Sequence, residues 1–136
     1  MKMNTHLAFH GQCREAFQYY EKALGGQITF MMTWSESPMA DQLPAGHEDD
    51  VMHATIKVGD NVLMGADAPP GNTTKPRGFA VAIHTEDVAE AERIFSALSE
   101  GAEIQMPLEQ TFWAKKFGML IDRYGIPWMI NCGEQM

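Results

Sequence analysis

Five histidines are spread along a chain of 136 residues, and two of them, His53 and His84, stand in stretches that alternate as strands do. An imidazole with an ordinary pKa near 6.5 can exchange a proton at neutral pH, accept a hydrogen bond or bind a metal. His53 shares the polar side of its stretch with Thr55 and Lys57, opposite Met52, Ala54, Ile56 and Val58. It points into a cavity if the apolar side packs on a helix. His84 has the parity of Ala80 and Ala82 and is expected near the rim of the same space. The competing role for each is that of a structural hydrogen-bonder. His10 and His47 fall at turn or loop positions and are expected at the surface. Trp113 lies in a loop with Phe112 before it and Phe117 after it. Such an aromatic loop stacks on a flat ligand or closes a pocket, or else plugs one end of a barrel or a dimer contact. Trp34 is accounted for as core by the alternation of its own strand. Cys13 and Cys132 are expected to be reduced, small core residues rather than a disulfide or a nucleophile.

The elements that would position these groups come twice, about 75 residues apart. In the first half a strand, Thr5 to Phe9, leads into a helix, Cys13 to Leu24, with Ala16, Tyr20, Ala23 and Leu24 on one face. Gly25-Gly26 ends it. Ile28 to Trp34 and Val51 to Val58 alternate as half-buried strands, and Gly59-Asp60-Asn61 turns into a fourth strand, Val62 to Ala66. In the second half the strand Phe79 to His84 precedes a helix, Asp87 to Leu98, for which Thr85 is the expected cap. Glu103 to Met106, Phe117 to Asp122 and Trp128 to Cys132 follow as strands. The superposition puts Tyr20 on Phe95 and Gly26 on Gly101. Pro69-Pro70-Gly71-Asn72 and Lys75-Pro76-Arg77-Gly78 form the linker between the halves. Two halves of this size, each poor in core by itself, imply one fused domain with a shared cleft.

Composition narrows the class. With 45% apolar and 21% charged residues the chain has the make-up of a soluble globular protein, and no apolar run approaches the roughly 20 residues of a membrane span. No apolar segment of signal-peptide type follows Met1-Lys2-Met3, so a cytoplasmic protein without a membrane partner is expected. A net charge of −8 with no basic stripe argues against nucleic acid. The acidic stretch from Ser35 to Asp50, with Pro38, Pro44 and Gly46, reads as a solvated loop between strands. There is no phosphate-binding glycine loop, dinucleotide fingerprint or nucleophile elbow.

Several motifs, taken in order, carry a resemblance. They are Gly11-Gln12-Cys13-Arg14-Glu15-Ala16, Met52-His53-Ala54, Leu63-Met64-Gly65-Ala66-Asp67, Thr111-Phe112-Trp113-Ala114-Lys115-Lys116-Phe117-Gly118-Met119, and the stretch from Asp122-Arg123-Tyr124-Gly125 to Asn131-Cys132. With the paired βαβββ pattern they resemble the PhnB-like branch of the vicinal oxygen chelate superfamily, which includes glyoxalase I, bleomycin and fosfomycin resistance proteins and extradiol dioxygenases. The resemblance covers nearly all of the chain. It implies an α+β fold of two βαβββ modules, about 1–68 and 77–136 of a single domain 1–136, forming a curved eight-strand sheet around a cavity with the helices outside. It also implies a homodimer.

In the metal-dependent members four inward strand positions carry His, Gln or Glu ligands to a divalent ion. Carried over, they fall on Thr5, or on His6 with a one-residue slip, and on Ala80, Met64 and Met129. A slip of one residue reverses the face. These residues make a poor hard-metal set, since Ala has no donor and thioethers are soft. The resemblance therefore points to a small-molecule binding protein with no metal and no cofactor. Its ligand contacts are His53, Met64, His84, Trp113 and Met129, with Thr5 or His6. The alternative is a metal-dependent glyoxalase- or dioxygenase-like enzyme acting on a small oxygenated substrate. Relatives of this branch carry a methyltransferase label tied to ubiquinone precursors, and the absence of a glycine-rich donor loop argues against that chemistry here.

Overall fold

From Thr5 to Asp67 the chain folds as β1 (Thr5–Phe9), α1 (Cys13–Leu24), β2 (Gln27–Thr33), β3 (Val51–Val58) and β4 (Asn61–Asp67). The order recurs as β5 (Val81–Thr85), α2 (Val88–Ser99), β6 (Glu103–Glu109), β7 (Ala114–Ile121) and β8 (Pro127–Glu134). This computed structural model describes residues 1–42, 45–69, 71 and 74–134. It divides into two units, Met1–Thr74 and Lys75–Met136. Pro70 and Asn72 of the linker, and Pro44 of the acidic loop, lie outside the described residues.

Each unit holds one four-stranded mixed sheet, so the eight strands form two sheets. In the first the order is β1-β4-β3-β2, with β1 and β4 parallel and the other neighbours antiparallel. In the second the order is β5-β8-β7-β6, again with the first pair parallel. The α+β, two-module architecture implied by the resemblance is the one observed.

The helices cover one face of each sheet because their apolar residues recur at helical spacing. Cys13, Ala16, Phe17, Tyr20 and Ala23 are buried on α1, and Ala91, Ile94 and Leu98 on α2. Below α1 lie Leu7 and Phe9 of β1, Ala54 and Ile56 of β3, and Leu63 of β4, all buried. Phe17 packs edge-on to Phe9, with centroids 6.1 Å apart, and its complete burial contributes about 2–3 kcal/mol. Gly65 makes room for it. A Cβ there would stand 2.7 Å from the Phe17 ring and 3.1 Å from the Leu7 carbonyl. Gly118 does the same in the second unit, where a Cβ would meet Phe95 at 2.6 Å.

The two helices start differently. Gln12 offers α1 no side-chain cap. Asp67, at the end of β4 and only 5% exposed, serves instead. Its Oδ1 accepts from the amides of Gly11 (2.9 Å) and Cys13 (3.0 Å), and its Oδ2 from Val51 at the start of β3 (2.8 Å). On α2 the cap is Asp87, which accepts from Ala89 and Glu90, and not Thr85. Thr85 ends β5 and supports the cap, its hydroxyl accepting from the Asp87 amide and donating to Glu90. In the second unit Asp122 plays the role of Asp67 at the turn between β7 and β8. It accepts from the amides of Tyr124 and Ile126 and from the Trp128 indole at 2.8 Å.

Three further expectations are corrected. Trp34 does not complete the stripe of β2. The chain turns at Thr33, whose amide and hydroxyl both donate to Glu36, and Trp34 opens a 3-10 turn in which it is half-buried. The glycine matching Gly101 (φ 73°) is Gly25 (φ 69°), not Gly26, because one extra residue follows α2. The strand ends also move: β5 begins at Val81, β6 runs on to Glu109, and β7 begins at Ala114, directly after Trp113.

Two outcomes follow from this packing. Asp67→Asn keeps one acceptor but turns an amide group toward the Val51 N–H, and should lower the unfolding free energy by about 1–3 kcal/mol in urea titrations. Gly65→Ala overpacks the site under Phe17 and should cost about 1–3 kcal/mol, with part of the loss recovered when Phe17→Leu is added.

Candidate functional site

On the face of the first sheet away from α1, the strand pairing brings several chemically useful side chains together. His6 is paired with Met64, and Met64 on its other side with Thr55. Since Leu7 and Phe9 point under the helix, His6 and Ala8 have the opposite parity. Thr5 and His6 therefore fall on opposite faces of the sheet. Thr5 shares parity with the helix-facing residues and pairs with Leu63, while His6 stands on the open face. His53 and Thr55 lie on that same face because Ala54 and Ile56 are buried.

The His6 and His53 rings are 6.2 Å apart between centroids, with planes 26° from parallel. Phe30 continues the row, its centroid 5.8 Å from that of His53. The Thr55 hydroxyl is 3.3 Å from His53 Nε2. Alternation places Phe30 with Ile28, Met32 and Trp34 in the apolar stripe of a half-buried strand, and not among the candidate site residues. A register shift between Ile28 and Phe30 breaks that stripe, and Phe30 emerges 44% exposed, paired with Thr55. Partial desolvation, and then the neighbouring His53, hold the His6 pKa below the ordinary 6.5. A neutral His6 is therefore the dominant form near pH 7, with one ring nitrogen free to accept a hydrogen bond.

The open face of the second sheet carries its own set. Ala82 pairs with Met129, and Met129 with Met119 of β7. The position matching His6 is thus Ala82, two residues beyond Ala80, and it has no donor. His84 pairs with Asn131, whose side-chain amide lies 3.4 Å from His84 Nδ1. Trp113 sits between Phe112, at 4.8 Å, and Phe117, at 5.1 Å, in edge-to-face contacts. Phe112 is 84% exposed. A short turn holds the loop, with the Thr111 amide donating to the Ala114 carbonyl and the Ala114 amide to the Thr111 hydroxyl.

The remaining candidates lie elsewhere. His47 pairs with Asp50 at 3.0 Å in the acidic loop, and His10 lies 3.4 Å from the Thr74 carbonyl. Cys13 and Cys132 are free and buried. Burial, reinforced by the Asp67 carboxylate, pushes the Cys13 thiol up to about 12, so it is no nucleophile at neutral pH.

The residues do not fit the divalent ion of the metal-dependent relatives. Of the positions in question only His6 bears a nitrogen ligand, beside Met64, Ala82 and Met129. Among the described residues no group of three or more His, Cys, Asp or Glu side chains is gathered so as to hold a metal. What the two faces do offer is flat aromatic surface, flexible thioether and a few hydrogen-bonding groups, the usual make-up of a site for a small organic molecule.

Comparison with known proteins agrees with this architecture. The family model for 3-demethylubiquinone-9 3-methyltransferase matches residues 1–131. Protein YjdN of Escherichia coli K12 is 31% identical over 143 residues, covering 99% of this chain and 97% of YjdN. The crystal structure of protein PA1353 from Pseudomonas aeruginosa is 42% identical with a TM-score of 0.90, over 98% of each chain. The PhnB protein from Bacillus cereus is 27% identical with a TM-score of 0.80, over 98% of this chain and 100% of the other. With the motifs, the repeated βαβββ units and these likenesses in place, the chain belongs to the 3-demethylubiquinone-9 3-methyltransferase family.

Proposed function

We propose that this protein binds a small organic molecule in the manner of the glyoxalase and bleomycin-resistance group, without that superfamily's divalent metal site. The observation that carries the reading is the row of rings Phe30, His53 and His6 on the open face of the first sheet, with Met64 and Thr55 alongside. Exposed apolar rings are costly unless something covers them, and a flat ligand gains both burial and stacking there. Neutral His6 and the Thr55 hydroxyl supply the polar contacts that fix its orientation. His84, Met129 and Trp113 on the second open face are read as ligand contacts of the same kind. Thr5 is left out, because its parity is that of the helix side.

Methyl transfer is not part of this reading despite the family's name, since the sequence has no glycine-rich loop suited to a nucleotide-like methyl donor. A homodimer fits the exposed edge strand β6, where Ile104 and Met106 are 41% and 39% exposed. A cytoplasmic setting fits two buried free thiols. No helix among the described residues is long and apolar enough to cross a membrane.

The reading is tested by chemical-shift mapping with a panel of small aromatic and aliphatic compounds, together with the metal content of protein purified without chelators. Binding compounds should perturb His6, Phe30, His53 and Met64, and His53→Ala should weaken them by about 1 kcal/mol, roughly fivefold. About one nickel, zinc, manganese or iron ion per chain, lost on substituting His53, would instead overturn the metal-free reading and favour the metal-dependent enzyme. The ionisation of His6 gives a second measurement. By NMR its ring should titrate below 6.5, and His53→Asn should bring it part of the way back. Because folding disfavours the charged ring, stability should decline as the pH falls below about 6.5, and His6→Asn should remove that part of the slope.

A further inference from the structure

We propose that the molecule held on the open face of the first sheet is an aromatic carboxylate, its ring lying against Phe30 and His53 and its acid group directed at Lys57; this rests on the ligand-binding reading above and names the class of ligand. Lys57 stands two residues beyond Thr55 on β3, with Ile56 between them buried under the helix. Its side chain therefore leaves the sheet on the open face, one row of residues and about 6.8 Å further along the strand. Its strand partners are Gln27 on β2 and Val62 on β4. The adjoining row runs Phe30, Thr55, Met64 and His6 across the four strands, and His53 lies in the row beyond. A flat ring on Phe30 and His53 thus has a long, flexible ammonium arm beside one of its edges.

The distribution of charge selects an anion. The chain carries a net charge of −8, but Asp67 is the one carboxylate in β1 to β4, and it turns to the helix side to accept the amides at the start of α1. Lys57 is the one Lys or Arg in those strands. It is exposed, and among the described residues its ammonium makes no ion pair. Glu21, at the start of β2, is engaged by the Ile28 amide, and Asp60 lies in the turn after β3. The acidic segment from Ser35 to Asp50 joins the other ends of β2 and β3, at Thr33 and Val51, about 20 Å from Lys57 along the strand. An anion on this face is repelled from one end and attracted to the other, which sets its direction. A cation finds no carboxylate there, and an uncharged ring leaves the ammonium unused. One ammonium balances the single charge of a carboxylate, whereas a phosphate calls for more donors than this face supplies.

The experiment compares 2-naphthylacetate with its neutral amide, 2-naphthylacetamide, by chemical-shift titration of the full chain. Both should perturb Phe30, His53 and Met64, and the acid should bind about fivefold more tightly, with the difference shrinking at high salt. Lys57→Met keeps the length of the arm without its charge and should remove the difference between the two compounds, whereas Lys57→Arg should preserve it. An amide that binds as well as the acid overturns the proposal and leaves the aromatic site standing. So does a preference for the acid that survives Lys57→Met. If neither compound perturbs this face, the ligand-binding reading falls and the proposal falls with it.

Discussion

A single buried carboxylate holds the first unit in register. Asp67 gathers amides from the loop before α1, from the first residue of α1 and from the first residue of β3, so three chain segments converge on one side chain at the end of β4. The amides of Cys13 and Val51 would otherwise be buried donors without an acceptor, and such groups cost about 1–3 kcal/mol apiece. Their shared acceptor fixes where the helix begins relative to the sheet. Once α1 is seated, Leu7, Ala54, Ile56 and Leu63 are committed to the covered face. His6, His53 and Thr55 are then committed to the other by alternation alone. The chemistry of the open face thus follows from a contact on the opposite side of the sheet.

Much of this was legible in the amino-acid sequence, and the parts that were not share a physical cause. The helices and the repeat could be read because a 3.6-residue stripe and a period-two stripe are local patterns. The α2 start was signalled by nearby acidic and hydroxyl residues, though Asp87 rather than Thr85 occupies the cap. The acceptor for α1 lies 54 residues away in sequence, where no local pattern reaches. The open-face site divides in the same manner. His53 and Thr55 could be placed by alternation and Met64 came from the resemblance, whereas the faces taken by Thr5 and His6 needed the parallel pairing with β4. Phe30 was hidden by an irregularity in β2 that no hydrophobic pattern announces.

The site and the family name point in different directions, and the residues explain why. A fold built from repeated βαβββ units presents the same open-face positions twice, so chemistry can be changed by substituting side chains without disturbing the helix-covered faces. Here those positions hold His6 with Met64 in one unit and Ala82 with Met129 in the other. Apart from His6, these positions offer only sulfur and methyl groups. The aromatic surface lies beside them: Phe30 next to His53 in the first unit, and Phe112, Trp113 and Phe117 in the second.

The contrast between the two helix starts also bears on how the chain is made. A ribosome delivers α1 long before β4, so until Asp67 emerges the first amides of that helix have only water to bond with, and the helix is held by propensity alone. An isolated helix of this length is marginal in water. The nascent first unit must therefore stay unfinished until residue 67 has cleared the exit tunnel. In contrast, α2 carries Asp87 at its own threshold and can begin to wind as it appears. One half of this protein waits for its last strand before it can settle, and the other brings its own starting point with it.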